Sequence, residues 1–358
     1  MFGTLKHKGL TLLIIASSLL IGCSSEETSI ETTGSNWSQI QGETQGTTYG
    51  IILDDPESKI HKEEIDSILH DFDMYFSSYI DSSVIGMFNK THDTVTFRDH
   101  KGHFEWLMTE SQKICRLTDG SFDPSVYPLV KAWGFFSDTL RTPSEAELDS
   151  LRKNVGFNSE MYYYSNNQND VPGFNVLSKT NTNFRIDFNA IAQGYSVDVL
   201  ANYLDENNIK DYYVEIGGEI VVKGKNKENI DWRIGIDSPN QEGTTRVIEN
   251  VVNISDKAIA TSGNYRKFYV KDGVKYAHTI DPKTSAPVQH SLLSATVIAD
   301  NCTYADAYAT AFMVMGVDAA MSFVNSHPEL GLDIYLLYDN GSGVIEREMS
   351  DGFKKYLK

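Results

Sequence analysis

The amino-acid sequence predicts an α+β protein, and two observations lead to that prediction. Runs typical of β-strands cluster in the second half of the chain, where short turns such as Lys271-Asp272-Gly273 join them. The helical segments do not alternate regularly with these strands, as they do in a doubly wound nucleotide-binding fold. We therefore expect a mixed architecture in which helices pack on an antiparallel sheet.

Each element follows from the spacing of its apolar residues. A helical period predicts helices at His61–Tyr75, Phe104–Leu117, Ser144–Lys153, Ala190–Asn207 and Ala305–Ser326. Short runs rich in β-branched and aromatic residues predict strands at Thr47–Leu53, Phe184–Ile186, Tyr212–Val222, Trp232–Ile236, Val247–Ile254, Ala258–Thr261, Phe268–Val270, Ser294–Ile298 and Asp333–Tyr338. The chain has no internal repeat, so one domain over residues 39–358 is expected.

The composition excludes several classes of protein. The chain has 358 residues, of which 41% are hydrophobic and 22% charged, which is typical of globular proteins. A mean hydropathy of −0.32 excludes a multi-span membrane protein. The net charge of −18 makes general nucleic-acid binding unlikely, because such a chain repels a phosphate backbone. An anionic ligand would need a metal ion, backbone N–H groups or single cations.

The N-terminus predicts export. Lys6 and Lys8 precede the apolar stretch Leu10 to Ile21, which is too short to span a bilayer but suits a signal peptide over residues 1–22. Leu20-Ile21-Gly22-Cys23 resembles a bacterial lipobox, in which Cys23 is acylated; the alternative is a plain secretory signal. Residues 23–38 are then a lipidated flexible tether. We expect a protein anchored to a bacterial membrane and facing the periplasm, with the inner or outer membrane left open.

Two cysteines remain beyond Cys23. Cys115 and Cys302 could form at most one pair, which is no disulfide framework for so long a chain. Two buried free thiols are the favoured interpretation.

A possible metal site lies in the last predicted helix. Asp306 and Thr310 are four residues apart, so both oxygens project from one helical face. A carboxylate and a hydroxyl in this arrangement suit a hard cation such as Mg²⁺. The alternative is that Asp306 only favours the positive start of the helix while Thr310 packs.

The segment Asp187 to Tyr195 is predicted to pass from a strand into a helix. Such a junction presents free backbone N–H groups to a phosphate, and its small residues would let a ligand approach. Alternatively, Asp187 or Asn189 is a plain helix N-cap.

His278 lies in the segment Tyr276 to Pro282, which is predicted to be a strand that ends in a turn. It could act as a general base near neutral pH, or it could be a hydrogen-bonded structural histidine. Two glycine segments, Glu215–Glu219 and Thr261–Tyr265, are predicted to form a strand bulge and a turn.

Taken in order, these segments resemble the ApbE family of FAD:protein FMN transferases over roughly residues 41–317. The matching strings are Gly46-Thr47-Thr48-Tyr49, Ser78 to Ser83 with Phe88-Asn89, Asp119 to Val126 with Pro128-Leu129-Val130 and Trp133-Gly134-Phe135, Asp187 to Asp198, Ile216 to Ile220, Ala260 to Gly263, His278 to Thr284, and Ala305 to Thr310 with Met315-Gly316. The family's exported lipoproteins also match the N-terminus.

The resemblance implies a T-fold-like architecture and Mg²⁺-dependent transfer of FMN from FAD to a Thr or Ser hydroxyl of an acceptor redox protein, with release of AMP. By position, Asp306, Thr310 and the Ala190 carbonyl correspond to the metal ligands, and His278 to the catalytic base. Flavin-nucleotide contacts correspond to Gln45, Tyr79, Ser121, Phe122, Asp123, Asp187, Gln193 and Ile280.

The sequence departs from the family pattern at three positions. Gln45 stands where many members have Met, Gln193 where Lys is common, and Ser285 where Gly is usual. Two other functions stay open: an FAD pyrophosphatase that yields free FMN and AMP, and a flavin-binding lipoprotein without turnover.

Overall fold

The computed structural model describes residues 36–135, 141–166, 174–239, 247–264, 268–271, 274–277 and 279–357. The helices in these ranges are α1 (Lys62–Phe76), α2 (Val84–Lys90), α3 (His103–Leu117), α4 (Tyr127–Ala132), α5 (Glu145–Arg152), α6 (Ala192–Glu206), α7 (Cys302–Met315) and α8 (Val317–Ser326). The strands are β1 (Trp37–Thr44), β2 (Thr47–Asp54), β3 (Thr94–Arg98), β4 (Tyr162–Ser165), β5 (Phe174–Lys179), β6 (Tyr212–Ile216), β7 (Glu219–Lys223), β8 (Trp232–Asp237), β9 (Ile248–Ile254), β10 (Lys257–Gly263), β11 (Phe268–Lys271), β12 (Val274–Ala277), β13 (Ile280–Asp281), β14 (Ala286–Pro287), β15 (Leu292–Ala299), β16 (Asp333–Asp339) and β17 (Ile345–Met349).

An eight-stranded sheet in the order β1-β2-β6-β7-β10-β15-β16-β17 forms the centre of the described chain. Every neighbouring pair in it is antiparallel. A smaller antiparallel sheet has the order β3-β5-β4. The predicted α+β class with an antiparallel sheet is therefore confirmed.

Apolar side chains cover both faces of the large sheet. The main core combines one face with α1, α6 and α7, and it includes Ile51 and Val214. A second core lies on the opposite face under β8 and β9, and it includes Val222 and Trp232. Strand β15 is buried along its whole length because it contributes to both cores.

Two predicted elements are wrong. The helix predicted over Ala305–Ser326 is two helices, since Gly316 adopts a φ of +79° between α7 and α8. Phe184–Ile186 is not a strand. Instead, the Asn89 side chain donates to the Ile186 carbonyl at 2.7 Å and accepts from the Ile186 N–H at 2.9 Å, which satisfies the backbone as a neighbouring strand would.

Both glycine segments also differ from their predictions. The strand predicted at Tyr212–Val222 is the hairpin β6–β7, and Gly217 and Gly218 form its turn with φ values of +61° and +114°. There is thus no bulge at this position. The turn predicted at Thr261–Tyr265 is wrong for Thr261 to Gly263, because these residues belong to β10. Tyr265 lies outside the described residues.

The remaining predicted helices and strands are confirmed, with ends that differ by a few residues. Cys115 and Cys302 are buried free thiols, as predicted. The elements that were not predicted include β1, β3, β4, β5, β14, β17, α2 and α4. Asp272 and Gly273, in the turn predicted after Lys271, are outside the described residues.

Residues 1–35, which include Cys23, lie outside the described part of the chain, and strand β1 begins at Trp37. Within the described ranges, no helix has both the length and the apolar character needed to cross a bilayer.

Candidate active site

A cavity of about 1460 Å³ is the main concave feature among the described residues. It is larger than the roughly 300–1000 Å³ of a typical small-ligand pocket, so it has room for a dinucleotide. Every described residue that the sequence suggested for the site lines it: Gln45, Tyr79, Ser121, Phe122, Asp123, Asp187, Ala190, Gln193, Ile280, Asp306 and Thr310. The structure thus brings these residues together, while their individual roles stay predictions. His278 is outside the described residues.

The cavity wall is strongly acidic. Seven carboxylate residues line it: Asp73, Asp123, Asp187, Glu215, Glu219, Asp237 and Asp306. Among the described residues that line it, there is no Lys, Arg or His. Because like charges repel, an anionic ligand can bind along this wall only with a cation or with backbone N–H donors.

Asp306 reaches from α7 to the first turn of α6. Its Oδ2 accepts a hydrogen bond from the Gly194 N–H at 3.0 Å, and Gly194 is the third residue of α6. The interpretation of Asp306 as a residue at its own helix start is wrong, since Asn301 caps α7 and Asp306 lies in the second turn. Burial raises the pKa of Asp306, and the negative charge of Asp198 raises it further.

Asp198 makes the reciprocal contact from α6 to α7. Its carboxylate accepts from the Cys302 N–H at 2.8 Å, from the Thr303 N–H at 2.8 Å and from the Thr303 hydroxyl at 2.5 Å. Burial raises the pKa of Asp198 to about 6. Each helix therefore supplies a carboxylate that satisfies N–H groups in the first turn of the other. This double contact fixes where α7 places Asp306 beside the cavity.

Thr310 faces the cavity one turn after Asp306. Its hydroxyl is hydrogen-bonded to the Ser262 hydroxyl on β10, 3.1 Å away. Thr310 is half-buried and lines the cavity, so the alternative that it packs in the interior is wrong. Within the described residues, no three His, Cys, Asp or Glu side chains form a complete metal-binding cluster. Further ligands of a cation would be hydroxyl, backbone or ligand oxygens and water, as Mg²⁺ commonly uses.

The loop before α6 forms another part of the wall. The Asp187 carboxylate accepts from the Asn189 N–H at 3.0 Å, and burial raises its pKa to about 6. Neither residue caps α6, whose N-cap position is Ile191, so that alternative is wrong. Asn189 also donates to the Tyr79 hydroxyl at 3.2 Å. Ala190 follows directly, two residues before the helix begins.

Gln193 ties α6 to the β6–β7 hairpin. Its Nε2 donates to the Ile216 carbonyl at 3.0 Å. A Cβ on Gly217 would lie 1.9 Å from the same nitrogen, so the close approach requires glycine there. The side-chain amide of Gln193 therefore makes a structural hydrogen bond. Lys is common at this position in the family.

The other predicted residues complete the cavity from two connecting segments and one strand. Gln45 is in the two-residue turn between β1 and β2, with a φ of +52°. Ser121 and Phe122 follow α3. Asp123 accepts from the Ser125 N–H at 2.7 Å, and burial raises the pKa of Asp123 to about 6. Ile280 is buried in β13.

Sequence reasoning did not select Glu219. This residue begins β7 directly after the Gly217-Gly218 turn and lines the cavity. Burial raises the pKa of Glu219 well above its usual value, and the Asp306 charge adds to this effect. The Gly217-Gly218-Glu219 string was the available signal, but it was interpreted as backbone geometry and as part of the family resemblance, with no role given to Glu219.

The cavity and its acidic wall define the candidate active site. The sequence matches the model of the ApbE family over residues 45–334. It is 33% identical over 324 residues to the FAD:protein FMN transferase of Vibrio cholerae, a match that covers 89% of this chain and 92% of that protein. It is also 33% identical to the protein of the same name from Haemophilus influenzae, with 88% and 90% covered.

Comparison with solved structures agrees with the sequence matches. The structure resembles the flavin transferase ApbE from Vibrio cholerae with a TM-score of 0.75 and 32% sequence identity, covering 90% of this chain and 100% of that chain. The chain therefore belongs to the ApbE family.

Proposed function

We propose that this protein is an FAD:protein FMN transferase that requires Mg²⁺. FAD is the substrate, and a Thr or Ser hydroxyl of a partner redox protein receives the FMN. The acidic cavity wall is the observation that carries the Mg²⁺ requirement. The diphosphate of FAD would face seven carboxylate residues and no basic side chain among the described lining residues, and a bound cation would offset the resulting repulsion.

The residues present fit a hard cation. Asp306, Thr310 and the Ala190 carbonyl would hold Mg²⁺, and all three residues line the cavity. Bound there, the ion would supply positive charge to the diphosphate as the bond between its phosphates breaks. The reciprocal contacts of Asp198 and Asp306 join α7, which bears Asp306 and Thr310, to α6, which begins two residues after Ala190.

In the proposed reaction, the acceptor oxygen forms a bond to the FMN-side phosphorus, and the bond from that phosphorus to the bridging oxygen breaks. AMP leaves with the bridging oxygen. A Thr or Ser hydroxyl is a weak nucleophile at its normal pKa, so a base must take its proton. We assign that role to His278.

A labelling assay tests the proposed function. The purified protein is incubated with FAD, Mg²⁺ and bacterial membrane redox proteins, and the acceptors are analysed by mass spectrometry. We expect a covalent FMN adduct and one AMP per adduct, both lost when a chelator removes the metal.

The same assay distinguishes the other two functions. Free FMN and AMP without an adduct would indicate an FAD pyrophosphatase. Tight FAD binding without AMP release would indicate a binding protein without turnover. Either result contradicts the transferase proposal.

We also propose that acylated Cys23 anchors the protein to a bacterial membrane on its periplasmic side. The support is the lipobox-like Leu20-Ile21-Gly22-Cys23 after an apolar stretch. Cys23→Ala should remove the lipid and release the protein from the membrane fraction, as measured by detergent partitioning and intact-mass analysis. Cys115→Ala is the matched control and should partition like the wild type. An unmodified Cys23 in the mature wild-type protein would contradict this proposal.

A further inference from the structure

Glu219 differs from the other carboxylates around Asp306 in the partners of its oxygens. Its Oε2 is inaccessible to solvent and has no hydrogen-bond partner within the described residues. Asp198 uses both of its oxygens for the first turn of α7, and Asp306 uses Oδ2 for Gly194. A buried carboxylate oxygen normally has a donor or a cation beside it.

The position of Glu219 is fixed relative to Asp306. The turn before Glu219 is attached to α6 by the hydrogen bond from Gln193 to the Ile216 carbonyl. Asp306 accepts from Gly194, the next residue of the same helix. The hairpin that bears Glu219 and the helix that bears Asp306 are therefore both attached to the first turn of α6, and the Asp306 charge acts on Glu219.

Two carboxylates held at such a site are both ionised only when a positive charge beside them offsets their repulsion. No described side chain that lines the cavity supplies one. We propose that Glu219 is a further ligand of the cation held by Asp306 and Thr310, in contact with it directly or through one water molecule. This inference rests on the Mg²⁺ site of the proposed function.

Binding of Mn²⁺ in the absence of FAD tests the assignment, with free Mn²⁺ measured by electron paramagnetic resonance. Glu219→Gln keeps the shape of the side chain and removes its charge, so we expect Mn²⁺ affinity to fall about tenfold or more. Glu228→Gln is the matched control, because Glu228 is an exposed carboxylate in the loop after β7. It should bind Mn²⁺ like the wild type.

Thermal unfolding without metal separates a ligand role from a structural one. Removing one of two repelling charges should leave metal-free Glu219→Gln at least as stable as the wild type, while the rise in Tm on adding Mn²⁺ should shrink. A merely structural Glu219 would give the opposite pattern, namely a lower Tm and unchanged Mn²⁺ affinity. Glu219→Asp retains the charge but retracts the oxygens, so it too should bind Mn²⁺ more weakly, and it tests the assignment if the Gln variant does not fold.

The possible outcomes distinguish the assignment of Glu219 from the proposed function. If Asp306→Asn loses Mn²⁺ but Glu219→Gln and Glu219→Asp bind it normally, Glu219 is not a ligand and the proposed function stands. If the wild type binds no Mn²⁺, both the assignment and the Mg²⁺ site are wrong.

Discussion

Asp306→Asn is expected to reduce Mg²⁺-dependent FMN labelling by about two to three orders of magnitude. The amide of the variant can still accept the hydrogen bond that Asp306 receives from Gly194, so the contact between α7 and α6 is retained. The substitution therefore removes the ligand charge without removing the helix contact. The loss should appear as a slower rate of FMN incorporation in the mass-spectrometric assay.

The stability of Asp306→Asn is measured together with its labelling rate. Because burial raises the pKa of Asp306, the ionised carboxylate is costly in the metal-free protein. The variant should therefore unfold in urea at a concentration no lower than that of the metal-free wild type. Asp300→Asn is the control: Asp300 is exposed, just before α7, and this variant should label normally. Full labelling by Asp306→Asn would show that the carboxylate is not needed for the reaction.

The elements that the sequence predicts well are the long amphipathic ones. α1, α3 and α6 each have 15 residues, and their apolar residues repeat with a clear helical period. α2 and α4 have 7 and 6 residues, which is too short for a period to be detected. The break between α7 and α8 was missed because apolar residues continue on both sides of Gly316. Only its positive φ, a backbone property, ends α7.

The residues of the candidate site likewise fall into those that local spacing in the sequence indicates and those that it does not. The spacing of Asp306 and Thr310 could be interpreted locally, because both are on one helix. Apart from the Asp187 to Tyr195 segment, the flavin-contact residues were suggested by family resemblance alone, since they come from separate parts of the chain with no common pattern. The pairing of Glu219 with Asp306 and the contact of Asp198 with α7 join residues far apart in the chain, so no local period indicates them.

Ser285 shows how a departure from the family pattern is accommodated. It has a φ of +61°, in the left-handed region where glycine is usual. Its hydroxyl accepts from Arg152 Nε at 2.9 Å, and its carbonyl accepts from Trp133 Nε1 at 2.9 Å. These two bonds offset the backbone strain at this turn.

Gly194→Ala is expected to destabilise the protein by about 2–3 kcal/mol and to abolish most FMN labelling. In an ordinary helix this change would stabilise by about 1 kcal/mol, because alanine favours the helix more than glycine does. Here a Cβ would lie 2.3 Å from the Cys302 carbonyl oxygen and 2.7 Å from Asp306 Cβ. Neither atom is at the end of a flexible side chain, so α7 must move away from α6.

That movement would act on the site in two ways. It would lengthen the hydrogen bond from Gly194 to Asp306, and it would displace Asp306 from the proposed cation site. Urea unfolding measures the stability lost when the hydrogen bond lengthens. The rate of FMN labelling at saturating Mg²⁺ measures the combined effect of the longer bond and the displaced Asp306. Gly50→Ala is the matched control, because the nearest atom to its Cβ would be Glu215 Oε2 at 3.9 Å. If Gly194→Ala unfolds and labels as the Gly50 variant does, the close packing of α6 on α7 does not position the metal ligands.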